Sequence, residues 1–91
     1  MKIGDLDLGD KPILLAPMED VSDSPFRTIC RRRGASIVYT EFISSEAIIR
    51  DQDTAMHKMD FSDEERPFGV QIFGGREEAM GGAAQIAESN N

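Results

Sequence analysis

The stretch that decides the fold is Ile13-Leu14-Leu15-Ala16-Pro17-Met18, a continuous apolar run of strand length. Such a run is typical of a strand buried on both faces, as in a parallel sheet covered by helices. Pro17 has no amide hydrogen, so it ends the hydrogen-bond ladder and turns the chain outward. Backbone groups beside Pro17 then become free to face a ligand. These residues predict a buried strand that ends at a binding position.

The residues after this run predict a helix. Residues 22–24 offer N-cap oxygens, and Pro25 suits the first turn, where its missing N–H costs nothing. Apolar side chains recur at helical spacing, at Phe26, Ile29 and Cys30. We expect this face to be buried, with Arg27 and the arginines at 31–33 largely off it. Gly34 lies where a left-handed C-cap would end the helix.

Two further pairs of strand and helix follow. Residues 37–41 are rich in β-branched and aromatic types and predict a second strand, followed by a short helix over 44–50. Residues 51–66 are polar and charged, which favours a helical or irregular surface connection. A third strand over 68–73 leads into a helix at about 76–89. Strands that alternate with helices in this way indicate a parallel α/β sheet.

The predicted organisation is a hairpin arm followed by three β-α units. The arm covers residues 1–12, and the units cover 13–34, 35–66 and 67–91. A three-stranded parallel sheet exposes two edges, which complete domains usually cover, pair or blunt. We therefore expect the chain to be a portion of a larger (β/α) protein.

Composition excludes several classes of protein. The chain has 91 residues, with 10 Lys and Arg against 17 Asp and Glu, a net charge of −7. Such a charge disfavours unaided nucleic-acid binding. Cys30 is the single cysteine, so an internal disulfide and a cysteine zinc site are excluded, and a reducing, cytoplasmic location is the default. The longest apolar run falls well short of the roughly 18 residues of a membrane span.

Three strand ends are candidate binding positions, because function in (β/α) proteins lies at the carboxyl ends of the strands. They are residues 16–20, residues 40–42, and Gln71 with the turn at 74–75. The Gln71 amide sits in an apolar strand and either bonds neighbouring backbone or serves a ligand. Glu41 is either a solvated strand terminus or a buried acceptor. The two glycines at 74–75 form either an ordinary turn or a phosphate-binding site.

For the other reactive or charged residues, a surface or packing role stands beside each functional one. His57 is expected to be an exposed surface histidine, and Cys30 a small buried hydrophobe rather than a nucleophile. The arginines at 31–33 either contact RNA phosphates or form a solvated helix end. By themselves, the residues predict no metal site and no catalytic constellation.

One stretch closely resembles a family signature. Residues 15–27 read Leu-Ala-Pro-Met-Glu-Asp-Val-Ser-Asp-Ser-Pro-Phe-Arg. They resemble the N-terminal signature of the tRNA-dihydrouridine synthases, which runs A-P-M, two variable residues, V-[ST]-D, then a phenylalanine-arginine pair. Residues 34–44 resemble that family's second strand, and 66–74 its third. The resemblance extends from Ile3 to about Glu88.

The resemblance implies an FMN-dependent TIM (β/α)₈ barrel, of which this chain would hold the hairpin and about three β-α units. Such a flavoprotein oxidoreductase reduces uridine to 5,6-dihydrouridine in tRNA, with NADPH or NADH as the reductant. Ala16, Pro17 and Met18 would lie against the flavin. Gln71 would then be a buried amide that hydrogen-bonds the isoalloxazine edge and orients the cofactor.

The sequence departs from the family pattern in several respects. The family's catalytic cysteine belongs to an N-x-G-C-P motif after the fourth strand, and this sequence contains no such motif. We expect that cysteine beyond Asn91, and we expect the 91-residue chain alone to be inactive. Gly81 and Gly82 occupy positions where alanine or a charged helix former is expected, and each costs roughly 1 kcal/mol in a helix.

Two alternatives remain open. The first is another FMN-dependent barrel oxidoreductase, such as a dihydroorotate dehydrogenase-like protein, against which residues 21–27 argue. The second is a non-enzymatic interaction module that pairs with a partner, or with itself, through open sheet edges.

Overall fold

The computed structural model of the protein describes residues 1–90, so Asn91 of the third predicted unit lies outside the described residues. In chain order its elements are β1 (Lys2–Ile3), β2 (Leu6–Asp7), α1 (Ser24–Arg32), β3 (Val38–Tyr39), β4 (Ile43–Ser44), α2 (Ser45–Ile49), α3 (Asp53–Lys58), β5 (Phe68–Gly69), β6 (Ile72–Phe73) and α4 (Glu77–Ser89). A 3₁₀-helix spans Asp63–Glu65.

The predicted hairpin arm is confirmed. β1 and β2 pair antiparallel, with Ile3 opposite Leu6. The intervening turn uses Gly4 at a φ of 58°, a conformation that a residue without a Cβ adopts freely. The terminal amine of Met1 donates to the Gly9 carbonyl at 2.7 Å and closes the arm.

The predicted parallel pairing is also confirmed. Leu14 forms a parallel bridge with Ile37, β3 pairs with β5, and β4 pairs with β6. The segment 37–44 therefore lies between the segments 13–16 and 68–73. We call these segments the first (13–16), second (37–44) and third (68–73) strands. Their order across the sheet is the same as their order in the sequence.

The middle strand carries a bulge. Tyr39 is opposite Gly69, and the next paired residues are Ile43 and Ile72. Three residues of the second strand, 40–42, therefore face only two of the third, 70–71. An extra residue of this kind bends a strand and is frequent beside functional sites.

The expectation that the first strand is buried on both faces is wrong for the described residues. Ile13 is 69% exposed and Leu14 is 40% exposed. The physical reason is position: this strand is at the edge of the sheet, and within residues 1–90 it pairs only with the second strand.

The main core lies on the helical side of the sheet. Its buried members are Ile43, Ile48, Ala55, Met59 and Ala83. Val70 and Ile72 of the third strand pack against this cluster from the sheet. α2 and α4 pack closely together. The polar segment 51–66 contributes Ala55 and Met59 to the core.

The interpretation of α1 requires a correction. The N-cap is Asp23, whose Oδ1 accepts from the Phe26 amide at 3.1 Å, in agreement with the cap pattern. However, Ile29 of the predicted buried face is 55% exposed, whereas Arg27 is only 4% exposed. A buried arginine requires a buried partner, and Glu65 provides it across the fold.

Candidate functional site

One face of the sheet lies opposite the main core, and α3 approaches it at Phe42, whose ring centroid lies 5.6 Å from Lys58 Nζ. Side chains alternate along a strand, so Gln71 points away from the core into which Val70 and Ile72 pack. The parallel register brings residues of the other two strands to the same side. We call this side the open face; it carries Leu14, Ala16, Tyr39, Phe42, Gln71 and Phe73.

Gln71 is exposed, which corrects the expectation of a buried amide. Its side chain makes no hydrogen bond within residues 1–90, so it does not bond neighbouring backbone. The backbone N–H and the backbone carbonyl of Gln71, in contrast, both form hydrogen bonds. The N–H donates to Thr40 Oγ1 at 2.9 Å, and the carbonyl accepts from the Ile43 amide at 3.0 Å. The backbone of Gln71 is therefore fixed, while its side-chain amide has no partner within the described residues.

The three residues at the end of the first strand differ in what they offer. Ala16 is exposed, and its N–H and carbonyl make no hydrogen bond in the described part of the chain. Pro17 is half-buried. Met18 exposes 48% of its surface, but its amide donates to Ser22 Oγ at 2.7 Å. The free backbone predicted beside Pro17 is thus found at Ala16 and not at the Met18 amide.

The signature residues that follow hold this loop in place. Ser22 is fully buried, and its carbonyl accepts from Arg27 Nη1 at 2.9 Å. Burial alone would raise the pKa of Glu65, but hydrogen bonds from Ser24 and Ser62, together with Arg27, outweigh burial and lower it. Glu65 is therefore a carboxylate at neutral pH. The V-S-D and F-R elements of the signature act as a structural brace behind the strand end.

Thr40 was a candidate from its place at a strand end, but its partner was not predicted, and Tyr39 was missed in the sequence. Thr40 is fully buried and accepts the Gln71 amide through its hydroxyl. Tyr39 covers Gly69 so closely that a Cβ on that glycine would lie 2.4 Å from Tyr39 Cδ1. A signal existed for Thr40: in a buried strand position a hydroxyl needs a partner, and the nearest candidate is adjacent backbone.

Carboxylates cluster beside the open face. Ligand atoms of Glu19, Asp20 and Glu41 lie within 4.8 Å of one another, and Lys58 pairs with Glu19 at 3.4 Å. Glu41 is half-buried, intermediate between a solvated strand terminus and a buried acceptor. Exposed acidic groups of this kind are common without a metal ion. A cavity of about 340 Å³ extends from Ser22 to Lys58, and none of the four predicted flavin-contact residues lines it.

The remaining candidates have structural explanations. His57 is exposed, with Nδ1 3.0 Å from an Asp60 carboxylate oxygen, and Cys30 is half-buried. Arg31 donates to the Arg66 carbonyl at 3.0 Å, and Arg32 pairs with Glu64, both at the amino ends of the strands. This helix end lies away from the open face's carboxyl edge, so the basic run is not part of the candidate site.

The turn at Gly74-Gly75 does not favour a phosphate. Glu77 and Glu78 occupy the first turn of α4, where they already complement the positive end of the helix dipole. They would repel an anion at that position. The ordinary strand-to-helix turn is therefore the better interpretation.

The fold and the site define an α/β protein of the parallel-sheet class, with its candidate binding surface at the carboxyl ends of the strands. Residues 14–91 match the family model described as Dihydrouridine synthase (Dus). The chain therefore belongs to the dihydrouridine synthase family.

Individual relatives agree with this assignment. The probable tRNA-dihydrouridine synthase of Aquifex aeolicus is 39% identical over 74 residues, which are 81% of this chain and 23% of that protein. The tRNA-dihydrouridine synthase B of Shewanella oneidensis is 39% identical over 86 residues, 94% of this chain and 26% of that protein. That of Vibrio vulnificus is 36% identical over 90 residues, 99% of this chain and 28% of that protein.

The chain thus spans about a quarter of the length of the curated relatives it matches. No solved structure shows significant similarity to it. Across residues 1–90, no helix combines the length and the apolar character needed to cross a membrane.

Proposed function

We propose that this chain forms the first β-α units of an FMN-dependent (β/α)₈ barrel that reduces uridine to 5,6-dihydrouridine in tRNA, with NADPH or NADH as the reductant. The family assignment supports the activity. The observation that carries the site is the free Gln71 amide on the same open face as Ala16. The proposed protein is a soluble, cytoplasmic flavoprotein, and its macromolecular substrate is tRNA.

The order of the strands supports the barrel. Crossovers between parallel strands are nearly always right-handed, so strands in sequential order place successive helices on the same side of the sheet. That arrangement closes into a barrel, whereas a doubly wound sheet reverses its strand order. Phe42 and Phe73 form an edge-to-face pair on the open face, with ring centroids 5.3 Å apart. In a closed barrel, these apolar side chains would face the interior.

The chemistry of the open face fits a flavin. A flat tricyclic ring with carbonyl and N–H groups along one edge needs an apolar surface of small bulk and a side chain that both donates and accepts. Ala16 and Met18 provide exposed apolar surface, and Gln71 provides both functions in one amide. When bound, FMN supplies the hydride that reduces the pyrimidine. Gln71 would orient the ring edge, and Ala16 to Met18 would support its position.

The proposed proton donor is not among the 91 residues of this chain. In the family pattern it is the cysteine of the N-x-G-C-P motif, which this sequence does not contain. We therefore propose that the 91 residues alone neither reduce uridine nor retain FMN. The acidic net charge of −7 likewise favours tRNA contacts through other parts of a full-length protein.

The test uses a full-length protein that carries these residues. We expect it to purify with FMN and to add two hydrogens to a uridine of an unmodified tRNA transcript, as read by mass spectrometry of the nucleosides. Gln71→Ala should lower the FMN occupancy, whereas Gln85→Ala, at an exposed position of α4, should not. A protein without flavin that forms a discrete dimer would instead favour the interaction module.

A further inference from the structure

A buried hydroxyl holds the backbone of Gln71 at the bulge. In a continuous parallel ladder, the acceptor for the Gln71 amide would be a backbone carbonyl of the second strand. The bulge over 40–42 removes this regular partner. Thr40 Oγ1 replaces it at 2.9 Å, and the Thr40 side chain is fully buried.

Thr40 also belongs to the ladder through its own backbone. Its amide donates to the Gly69 carbonyl at 2.9 Å, so Thr40 bonds residues on both sides of Val70. The Ile43 amide then holds the Gln71 carbonyl at 3.0 Å. Both peptide groups that flank the Gln71 Cα are thus fixed by the second strand, while the side chain remains free on the open face.

We infer that Thr40 is a positioning residue, whose hydroxyl sets the direction in which Gln71 presents its amide to the bound ring. This inference rests on the proposed flavin site. Thr40 is fully buried whereas Gln71 is exposed, so Thr40 acts without touching the ligand. The residue type matters: valine would fill the same space but would leave the Gln71 amide without an acceptor.

The first measurement needs no flavin. Amide hydrogen exchange by NMR in this chain compares Thr40→Val with Thr40→Ser, which keeps the hydroxyl. We expect Thr40→Val to raise the exchange rate of the Gln71 amide about tenfold relative to that of Ile43, and Thr40→Ser to leave it nearly unchanged. Should Thr40→Val not fold, Thr40→Ala provides the same comparison. Unchanged protection in the hydroxyl-free variants would overturn the inference.

The second measurement is an FMN titration of the full-length protein, followed by flavin fluorescence, in a double-mutant cycle. Thr40→Val should weaken FMN binding about tenfold when Gln71 is present and should have little further effect beside Gln71→Ala. Equal weakening in both backgrounds would show that Thr40 supports only the fold, which would overturn a positioning role. If the wild-type protein binds no FMN, the proposed cofactor fails, and hydrogen exchange alone decides whether Thr40 fixes Gln71.

Discussion

Arg27 and Glu65 form an ion pair with an Nε to Oε1 distance of 2.5 Å, and side-chain exposures are 4% and 0%. The other polar atoms of the pair are also satisfied. Arg27 donates to the carbonyls of Ser22 and Asp60, at 2.9 and 3.1 Å. Glu65 Oε2 accepts from Ser24 Oγ and the Ser62 amide, each at 2.7 Å. One buried pair therefore ties the loop after the first strand to the segment that leads into the third.

Removal of Arg27 should destabilise the protein strongly. Breaking a buried pair leaves an uncompensated charge, which typically costs roughly 3–5 kcal/mol, so Arg27→Ala should lower the free energy of unfolding by about that amount. Arg32→Ala is the matched control, because Arg32 lies on the same helix and pairs with Glu64 in solvent. Urea unfolding followed by circular dichroism measures both. Equal destabilisation by the two substitutions would contradict the role of the buried pair.

The same pair predicts a loss of stability in acid. The folded-state pKa of Glu65 lies below its usual value of 4.5, so folding favours the charged form. This contribution is present above the unfolded pKa and is lost as the pH falls through the folded pKa. The stability difference between wild type and Glu65→Gln should therefore be constant near neutral pH and shrink below about pH 4.5. Urea unfolding at a series of pH values measures it; a difference that stays constant into acid would contradict the prediction.

Local patterns are sufficient to predict the hairpin, the parallel pairing of the second and third strands and the helix after each strand, whereas the predicted first strand forms only the bridge at Leu14. The rule that function lies at the carboxyl ends of parallel strands also places Ala16 and Gln71 at one edge of the sheet. These features depend on residue periodicity and on the geometry of parallel sheets, both of which are readable from a single sequence.

The features that could not be predicted depend on distant partners. The charge of Arg27 favours the solvent side of α1, and its actual burial depends on Glu65, 38 residues away. The bulge at 40–42 follows from how two strands align, which neither strand encodes alone. The exposure of Ile13 follows from the position of its strand at the sheet edge.

Ser22 should hold the end of the first strand locally. Ser22→Ala would leave the Met18 amide without its acceptor, so we expect faster hydrogen exchange at Met18 and a loss of about 1–3 kcal/mol in stability. Asp23→Ala is the neighbouring control: it removes the N-cap bond, at a cost of about 1 kcal/mol, and should speed exchange at Phe26. If hydrogen exchange at the Met18 amide rose equally in both variants, the Ser22 hydroxyl would not specifically stabilise the end of the first strand.

The adjacent glycines of α4 should respond differently to alanine. Both cost helix stability, but a Cβ on Gly81 would meet nothing within 4 Å, whereas one on Gly82 would lie 3.1 Å from Ile49 Cγ2. Gly81→Ala should therefore raise the free energy of unfolding by about 1 kcal/mol, the difference in helix propensity. At Gly82 the contact with α2 should offset most of that gain or reverse it.

A third variant separates propensity from packing at this helix contact. Ile49→Ala removes the methyl group that a Cβ at residue 82 would meet. In that background, Gly82→Ala should gain stability as Gly81→Ala does, because only the propensity difference remains. Thermal and urea unfolding of the single and double variants complete the cycle. If Gly82→Ala were equally unfavourable with and without the Ile49 side chain, close packing of α2 on α4 would not be the reason for a glycine at this position.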